Sequence, residues 1–385
     1  MGIKSLSKFL KDKYPNIFEL IHISQYAYKR VAIDMSLYMC RFKTAYWNER
    51  IYGPYPWLNA FIRLVAVLRK NEIHCVFIYD SGFTKDKEEE RKQRKEDRQK
   101  RERRVYDLET AIEAYHSTGE VKPILLEFQD KRKLHKPILL RQNIVSVNIR
   151  AVEDAVEKMR GQLISITPED FAITKKVFDI LQVPYFNAPI EAETMCADLC
   201  IQGKVDAVLS EDTDVLAYGA PVFLSKIDTR DESCLSINYS ELLKQMEFTD
   251  DQFLDFCIMC GTDYNNNIPR VGPAKAFSLI SEHKNIENVA KNTTYDVSIL
   301  NHTRVRELFR EYKKSDCQVN YCGRPNFSAL QVLITTKNMR IDLEPLQKSF
   351  IRSVIIEEET DTVFNNEANE EIIIIDEEDE VIEIE

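Results

Sequence analysis

The chain has 385 residues, 44% hydrophobic, with only 10 Gly and 13 Pro, which suits an ordered core and excludes a disordered or collagen-like polymer. Its formal net charge of -11 is uneven: residues 357–385 hold 14 Asp or Glu and no Lys or Arg, and setting them aside leaves the body at +3, so a polyanionic substrate is not excluded. No apolar run reaches the roughly 18 residues of a membrane helix, and the nine Cys follow no disulfide framework, so a soluble, intracellular monomer with free thiols in a reducing compartment and no membrane attachment is expected.

Along the chain, four short runs rich in β-branched residues predict buried strands at 30–36, 74–80, 205–212 and 221–227. Helical patterns at 56–72 and 171–183 lie between them. This alternation predicts an α/β fold with a mostly parallel central sheet and flanking helices. Residues 85–104 carry eleven Lys or Arg and seven Asp or Glu with nothing apolar, and read as an exposed helix continuing through 106–117. Residues 120–165 suggest further helix, broken at Pro137. A second helical region runs from about 241 to 350, interrupted at 263–273, and its Cys257 and Cys260 read as buried thiols rather than a ligand pair. The acidic stretch beyond Arg352 has the composition of a disordered tail. These changes of character divide the chain into 1–104, 105–165, 166–350 and 351–385.

Carboxylates are the strongest chemical signal. Asp34 and Asp80 close the first two predicted strands, and Asp212 and Asp214 follow the third. Acids at the carboxyl ends of parallel strands fall along the edge where open α/β sheets bind ligands. Glu191 and Glu193 open a helix that Pro189 would initiate and that runs through Cys200, and Asp263 follows an apolar helix. Taken singly, any one of these acids reads first as a cap or turn former; the set is harder to dismiss. Gathered at one edge they repel by about 4 kcal/mol per pair at 4 Å and an effective dielectric of 20, and divalent cations resolve that conflict. Oxygen-only ligands suit Mg²⁺, with two ions able to serve phosphodiester hydrolysis; no Cys/His cluster favours zinc and no phosphate-binding GxxxxGK[ST] loop favours an ATPase.

The blocks MGIKSLSKFL, VAIDMSLY, VFIYD, APIEAETMCADLCIQGKVDAVLSEDTDVLAYG and FCIMCGTDYNNNIPRVGPAKAFSLISEHKNIENV occur in the order found in the flap endonuclease branch of the XPG-like structure-specific 5′ nucleases. The chain resembles that branch over about residues 1–104 and 165–290. The resemblance implies a PIN-like nuclease core, a helical arch and a helical duplex-binding region. It implies that Asp34, Asp80, Glu191, Glu193, Asp212, Asp214 and Asp263 hold two Mg²⁺ ions, which Mn²⁺ can replace, with Asp34 and Asp212 at the catalytic centre. Lys87 and Arg94 match the family's cations that reach the scissile phosphate. Seven residues are almost two helical turns, so both would share one face.

At the duplex, Arg270, Gly272 and Lys275 match the family's hairpin between helices, which binds phosphates through backbone N–H groups and holds a monovalent cation; the family's usual first Gly is Arg270 here. Tyr38 reads either as an aromatic stacked on an unpaired base or as core. Phe42, Trp47 and Tyr55 are candidates for wedging the junction. Asp80 and Glu191 stand 111 positions apart, so the arch or its base carries an insertion.

The implied function is a 5′ flap endonuclease of DNA replication and repair acting on branched DNA, at home in the nucleus of a eukaryote and otherwise at the site of DNA replication. A related 5′-3′ exonuclease or Holliday junction resolvase, or a non-catalytic DNA-junction adaptor, are the rivals. The usual sliding-clamp signature is absent from the tail. Its aliphatic run at 372–375, flanked by acids, resembles a SUMO-interacting segment that would add a strand to a protein partner.

Overall fold

The computed structural model describes residues 2–47, 53–82, 84–132 and 147–350. The tail with its run at 372–375, and Pro137, lie outside the described residues. Seven strands among them form one mixed sheet: β1 (Glu19–His22), β2 (Arg30–Asp34), β3 (His74–Tyr79), β4 (Tyr185–Asn187), β5 (Ala207–Leu209), β6 (Val222–Asp228) and β7 (Ser233–Asn238). Their spatial order is β1-β7-β6-β5-β2-β3-β4. The ladders joining β6, β5, β2, β3 and β4 are parallel, while β7 pairs antiparallel with both β6 and β1.

Helices cover both faces, so the central strands are apolar throughout instead of alternating, and β3 is buried from Cys75 to Tyr79. The period of two still sorts its side chains: Val76 and Ile78 join one core with Leu6, Leu10 and Phe256, whereas Phe77 and Tyr79 join the other with Phe61 and Phe178. Phe77 and Phe178 stack with centroids 4.3 Å apart. Capping boxes fix the starts of the helices Pro168–Leu181, through Thr167 and Asp170, and Asp250–Cys260, through Thr249 and Gln252. Cys257 and Cys260 are both buried in the latter helix, as expected.

The charged run forms one helix, Glu88–Thr118, ended by Gly119 in the left-handed region at φ 74°. Its first turn carries Glu88, Glu89 and Glu90, which suit the positive end of the helix dipole. No residue of this helix is buried before Val105; from there Val105, Leu108 and Ala111 pack on Leu125, Phe128, Val152 and Val156 of the helices Pro123–Arg132 and Ile149–Gly161. The insertion therefore has its own core. The compositional boundary at 104/105 falls inside a continuous helix, because charge pattern changes there without any change of backbone.

Candidate active site

From β2 the chain runs to β3 and β4 on one side, while β5 leads to β6 on the other, which puts the topological switch point between β2 and β5. Asp34 ends β2 and caps the helix Met35–Ala45 by accepting from Leu37 N–H at 3.1 Å. Asp80 follows β3, and its Oδ1 accepts from Ala192 N–H at 2.7 Å. That bond fixes where the next helix begins. It spans Ala192–Ile201 with Glu191 as its extended cap, so it starts three residues beyond Pro189, and Glu193 lies in its first turn. Asp212 accepts from Asp214 N–H at 2.9 Å, and Asp214 opens the short helix Asp214–Ala217.

Asp34, Asp80, Glu191, Glu193, Asp212 and Asp263 line a single cavity of about 270 Å³ together with Lys87 and Arg94. Asp214 lies beneath, 1% exposed, with an Oδ1 that has no hydrogen-bond partner. Gly2 closes the floor: at φ 79°, a Cβ on it would fall 2.1 Å from Asp212 Oδ1, so only glycine fits against the acids.

Burial and mutual repulsion dominate the electrostatics. Desolvation, then Asp80 and Glu193, push Asp34 well above the ordinary carboxylate range. Desolvation and Glu193 raise Asp80 and Glu191 in the same way, and Asp212 reaches about 6. Desolvation and Asp212 likewise raise Asp214 well above that range.

The internal answer to this charge is Lys87. Its Nζ stands 2.9 Å from Glu191, 3.1 Å from Glu193 and 3.7 Å from Asp263. Burial alone would depress its pKa, but Glu193 and Glu191 outweigh that and hold it above the ordinary lysine value. Lys87 belongs to the turn Lys85–Lys87 that precedes the helix Glu88–Thr118, which stands where the resemblance puts the arch, and not to the helix proper. Even so, it converges with Arg94, whose Nη2 reaches the same Asp263 Oδ2 at 2.9 Å and whose Nε also pairs with Glu90.

Among the described residues, no three His, Cys, Asp or Glu side chains form a ready-made ligand sphere, and Lys87 stands among the acids. The donor chemistry nonetheless fits hard divalent cations. All donors are oxygens, several are held protonation-prone by one another, and the buried Asp214 Oδ1 has no hydrogen-bond partner.

Tyr264 is a site residue that the spacing of acids did not reveal. Its hydroxyl donates to Glu191 Oε2 at 2.9 Å and lies 3.0 Å from that of Tyr218. Its position beside Asp263 was the available signal. Tyr38 requires a correction: it is fully buried, 5.6 Å from Phe42 between ring centroids, and its hydroxyl has no partner. It is therefore core, with no face open to a base, because its helix turns that side onto the sheet. Phe42 packs on Phe61 at 4.8 Å, Tyr55 on Trp57, and Trp47 lies against Gly161. Residues 48–52 of that aromatic segment lie outside the described residues.

The hairpin lies between Asp250–Cys260 and Pro273–His283. Ile268 and Val271 are buried beneath it, and Gly272 is the extended cap of the second helix, with open space where a Cβ would stand. Lys275 is exposed on that helix, its Nζ 5.4 Å from the Tyr295 ring centre.

Residues 1–101 match the XPG N-terminal domain and residues 182–263 the XPG I-region. A probable RAD2-like endonuclease of Invertebrate iridescent virus 6 is 34% identical over 91% of this chain and 92% of its own length. The chain belongs to the XPG-like flap endonuclease family. Flap endonuclease 1-2 of Paramecium tetraurelia is 30% identical over 76% of this chain and 67% of its own. In fold, the chain is similar to the catalytic core of Rad2 in complex with DNA substrate, with TM-score 0.63, 18% identity, and coverage of 91% of this chain and 99% of that one. The mixed seven-stranded sheet with flanking helices is the PIN-like nuclease fold of this family. Arg270 has φ 65°, so the backbone of this hairpin keeps the left-handed turn for which the family's usual glycine is suited. No helix among the described residues is long and apolar enough to cross a membrane.

Proposed function

We propose that this chain is a structure-specific 5′ flap endonuclease that hydrolyses a DNA phosphodiester near a single-strand/double-strand junction, leaving a 3′ hydroxyl, in DNA replication and repair. The observation that carries this reading is the convergence of acids from the ends of β2, β3 and β5 and from two helix ends around Lys87 and Arg94 at the foot of the arch. Asp34, Asp80, Glu191, Glu193, Asp212, Asp214 and Asp263 would hold two Mg²⁺ ions, or Mn²⁺ in their place. Bound there, such ions supply Lewis-acid stabilisation and acidify water for in-line attack.

The rest of the work falls to the chain itself. Lys87 and Arg94 lie in reach of one carboxylate, and so are spaced to grip one phosphate when they exchange that carboxylate for it. Tyr264 fixes the orientation of Glu191. Exposed Arg270 and Lys275, with the backbone at Gly272, are placed to contact duplex phosphates, and a monovalent cation at that turn belongs to the same reading. The site of action would be wherever the cell replicates DNA, with the acidic tail as a docking segment for a protein partner.

A panel of 5′ flaps, nicks, blocked 5′ ends and four-way junctions tests the substrate; preference for four-way junctions or for nicks over flaps would replace this reading with that of a resolvase or exonuclease. Asp212→Ala is expected to abolish cutting in Mg²⁺ while flap DNA affinity stays within about twofold, since the interaction lost is one made in the transition state. Full activity in that variant would remove the assignment of the metal site.

A further inference from the structure

The helix His302–Arg310 touches both halves of the molecule. Its buried side, Val305 and Phe309, faces the core, with the Phe309 ring 5.4 Å from that of Tyr264. Its arginines reach outward. Arg306 grips Asp255 of Asp250–Cys260 through two bonds of 2.6 and 2.7 Å and also binds Glu287, and Arg310 pairs with Asp250. These contacts fix the helix to the hairpin region. Arg304 points the other way: its Nε and Nη2 donate to Asp86 Oδ1 and Oδ2, both at 3.1 Å, while Nη1 donates to Glu307 at 3.0 Å. Asp86 is the residue before Lys87, in the same tight turn at the foot of the arch.

We infer that Arg304 and Asp86 are a positioning pair that ties the foot of the arch to the duplex-binding half and so sets where Lys87 meets the scissile phosphate. The physical reason lies in what the other tethers do during the reaction. From Glu88 to Arg104 the arch helix buries no residue, and its foot is held to the site through Lys87 on Glu191 and Glu193 and through Arg94 on Asp263. Those are the contacts that a phosphate must draw away. The Asp86–Arg304 fork involves none of the seven site acids and survives that exchange. A two-bond guanidinium–carboxylate fork also fixes direction as well as distance, unlike a single ammonium contact. Because Arg304 and Arg306 are neighbours on one short helix, a shift of the hairpin helices on binding duplex moves the foot of the arch with them.

This inference rests on the proposed nuclease function, and its test separates the two. Arg304→Ala is expected to lower kcat on flap DNA about tenfold with KM within twofold, and to speed amide hydrogen exchange across residues 84–94 in protein without DNA. Exchanging the pair, Asp86→Arg with Arg304→Asp, restores most of the loss. In a Lys87→Ala background, Arg304→Ala produces no further loss, because the pair acts through Lys87. Additive losses in that background, an effect on KM alone, or unchanged exchange across 84–94 would each overturn the inference. Should the wild-type chain cut a different DNA structure and leave flaps intact, the flap reading fails while the same cycle on the preferred DNA still judges the pair. Should it cut no DNA, the nuclease reading fails and the exchange measurement judges the tether by itself.

Discussion

Lys87 carries two roles that oppose each other. In the resting site it neutralises Glu191, Glu193 and Asp263, and in the reaction it is wanted on a phosphate. Removing a buried charge partner leaves the remaining charges uncompensated, so Lys87→Met is expected to destabilise the protein in chelator by on the order of 3 kcal/mol, read from urea unfolding. The same substitution removes a competitor for the carboxylates. Mg²⁺ is therefore expected to bind Lys87→Met at lower concentration than wild type, measured by calorimetry without DNA; equal or weaker binding would show that the ammonium does not compete. Asp34, Asp80, Asp212 and Asp214 were legible because strand ends are legible, and a strand that stops at an Asp states where that Asp goes; Glu191, Glu193 and Asp263 were read instead from helix ends and from the family resemblance. What was not legible is how the acids are satisfied. The Lys87 ion pairs and the Tyr264 bond to Glu191 depend on distances between segments that no spacing encodes. The choice between the two readings of Tyr38 was not legible for a related reason: an aromatic three or four residues into a helix faces the core or the solvent according to a helix rotation set by packing.

Elements with continuous apolar cores were the readable ones, and all four predicted strands occur. β1, β4 and β7 were missed. β4 has three residues at an edge, and β1 and β7 lie in antiparallel pairs with exposed or half-buried positions among the buried ones, so none offers a continuous buried run. The helix His302–Arg310 was absorbed into a general helical region, although its three arginines organise the surrounding acids. One of those acids gives the pH prediction. A hydrogen bond from Arg306 holds Glu287 at about 2, against an ordinary 4.5. A depressed carboxylate contributes stability that is fully present above its unfolded pKa and is lost as pH falls towards the folded one. Wild-type protein should therefore lose thermal stability between about pH 4.5 and 2 more steeply than Glu287→Gln, which has no proton to take up there. Parallel melting curves for the two proteins over that range would discard the pairing as a source of acid sensitivity. The Glu287 side chain is 44% exposed, so solvent screening keeps the effect modest.

Across the whole molecule, the two cores on the faces of the sheet are joined through the strands, whereas the third, on the arch, shares none of their residues. The 111 positions between Asp80 and Glu191 announced an insertion; they did not announce that it folds around its own apolar centre. That centre explains how a helix with no buried residue between Glu88 and Arg104 stays extended over the site. It is braced at its far end by the bundle, and along its length by Arg98 on the Leu163 carbonyl. A small core with separate contacts is expected to open as its own cooperative unit. Leu108 is fully buried in it, and Leu108→Ala should cost the bundle about 2–5 kcal/mol, the range for a leucine deleted from a packed core. Amide exchange should then quicken across residues 105–132 and 147–161 while β2, β3 and β5 keep their protection, and the thermal transition should split, with the earlier phase belonging to the arch. Faster exchange throughout the sheet would instead mean that arch and nuclease core unfold as one.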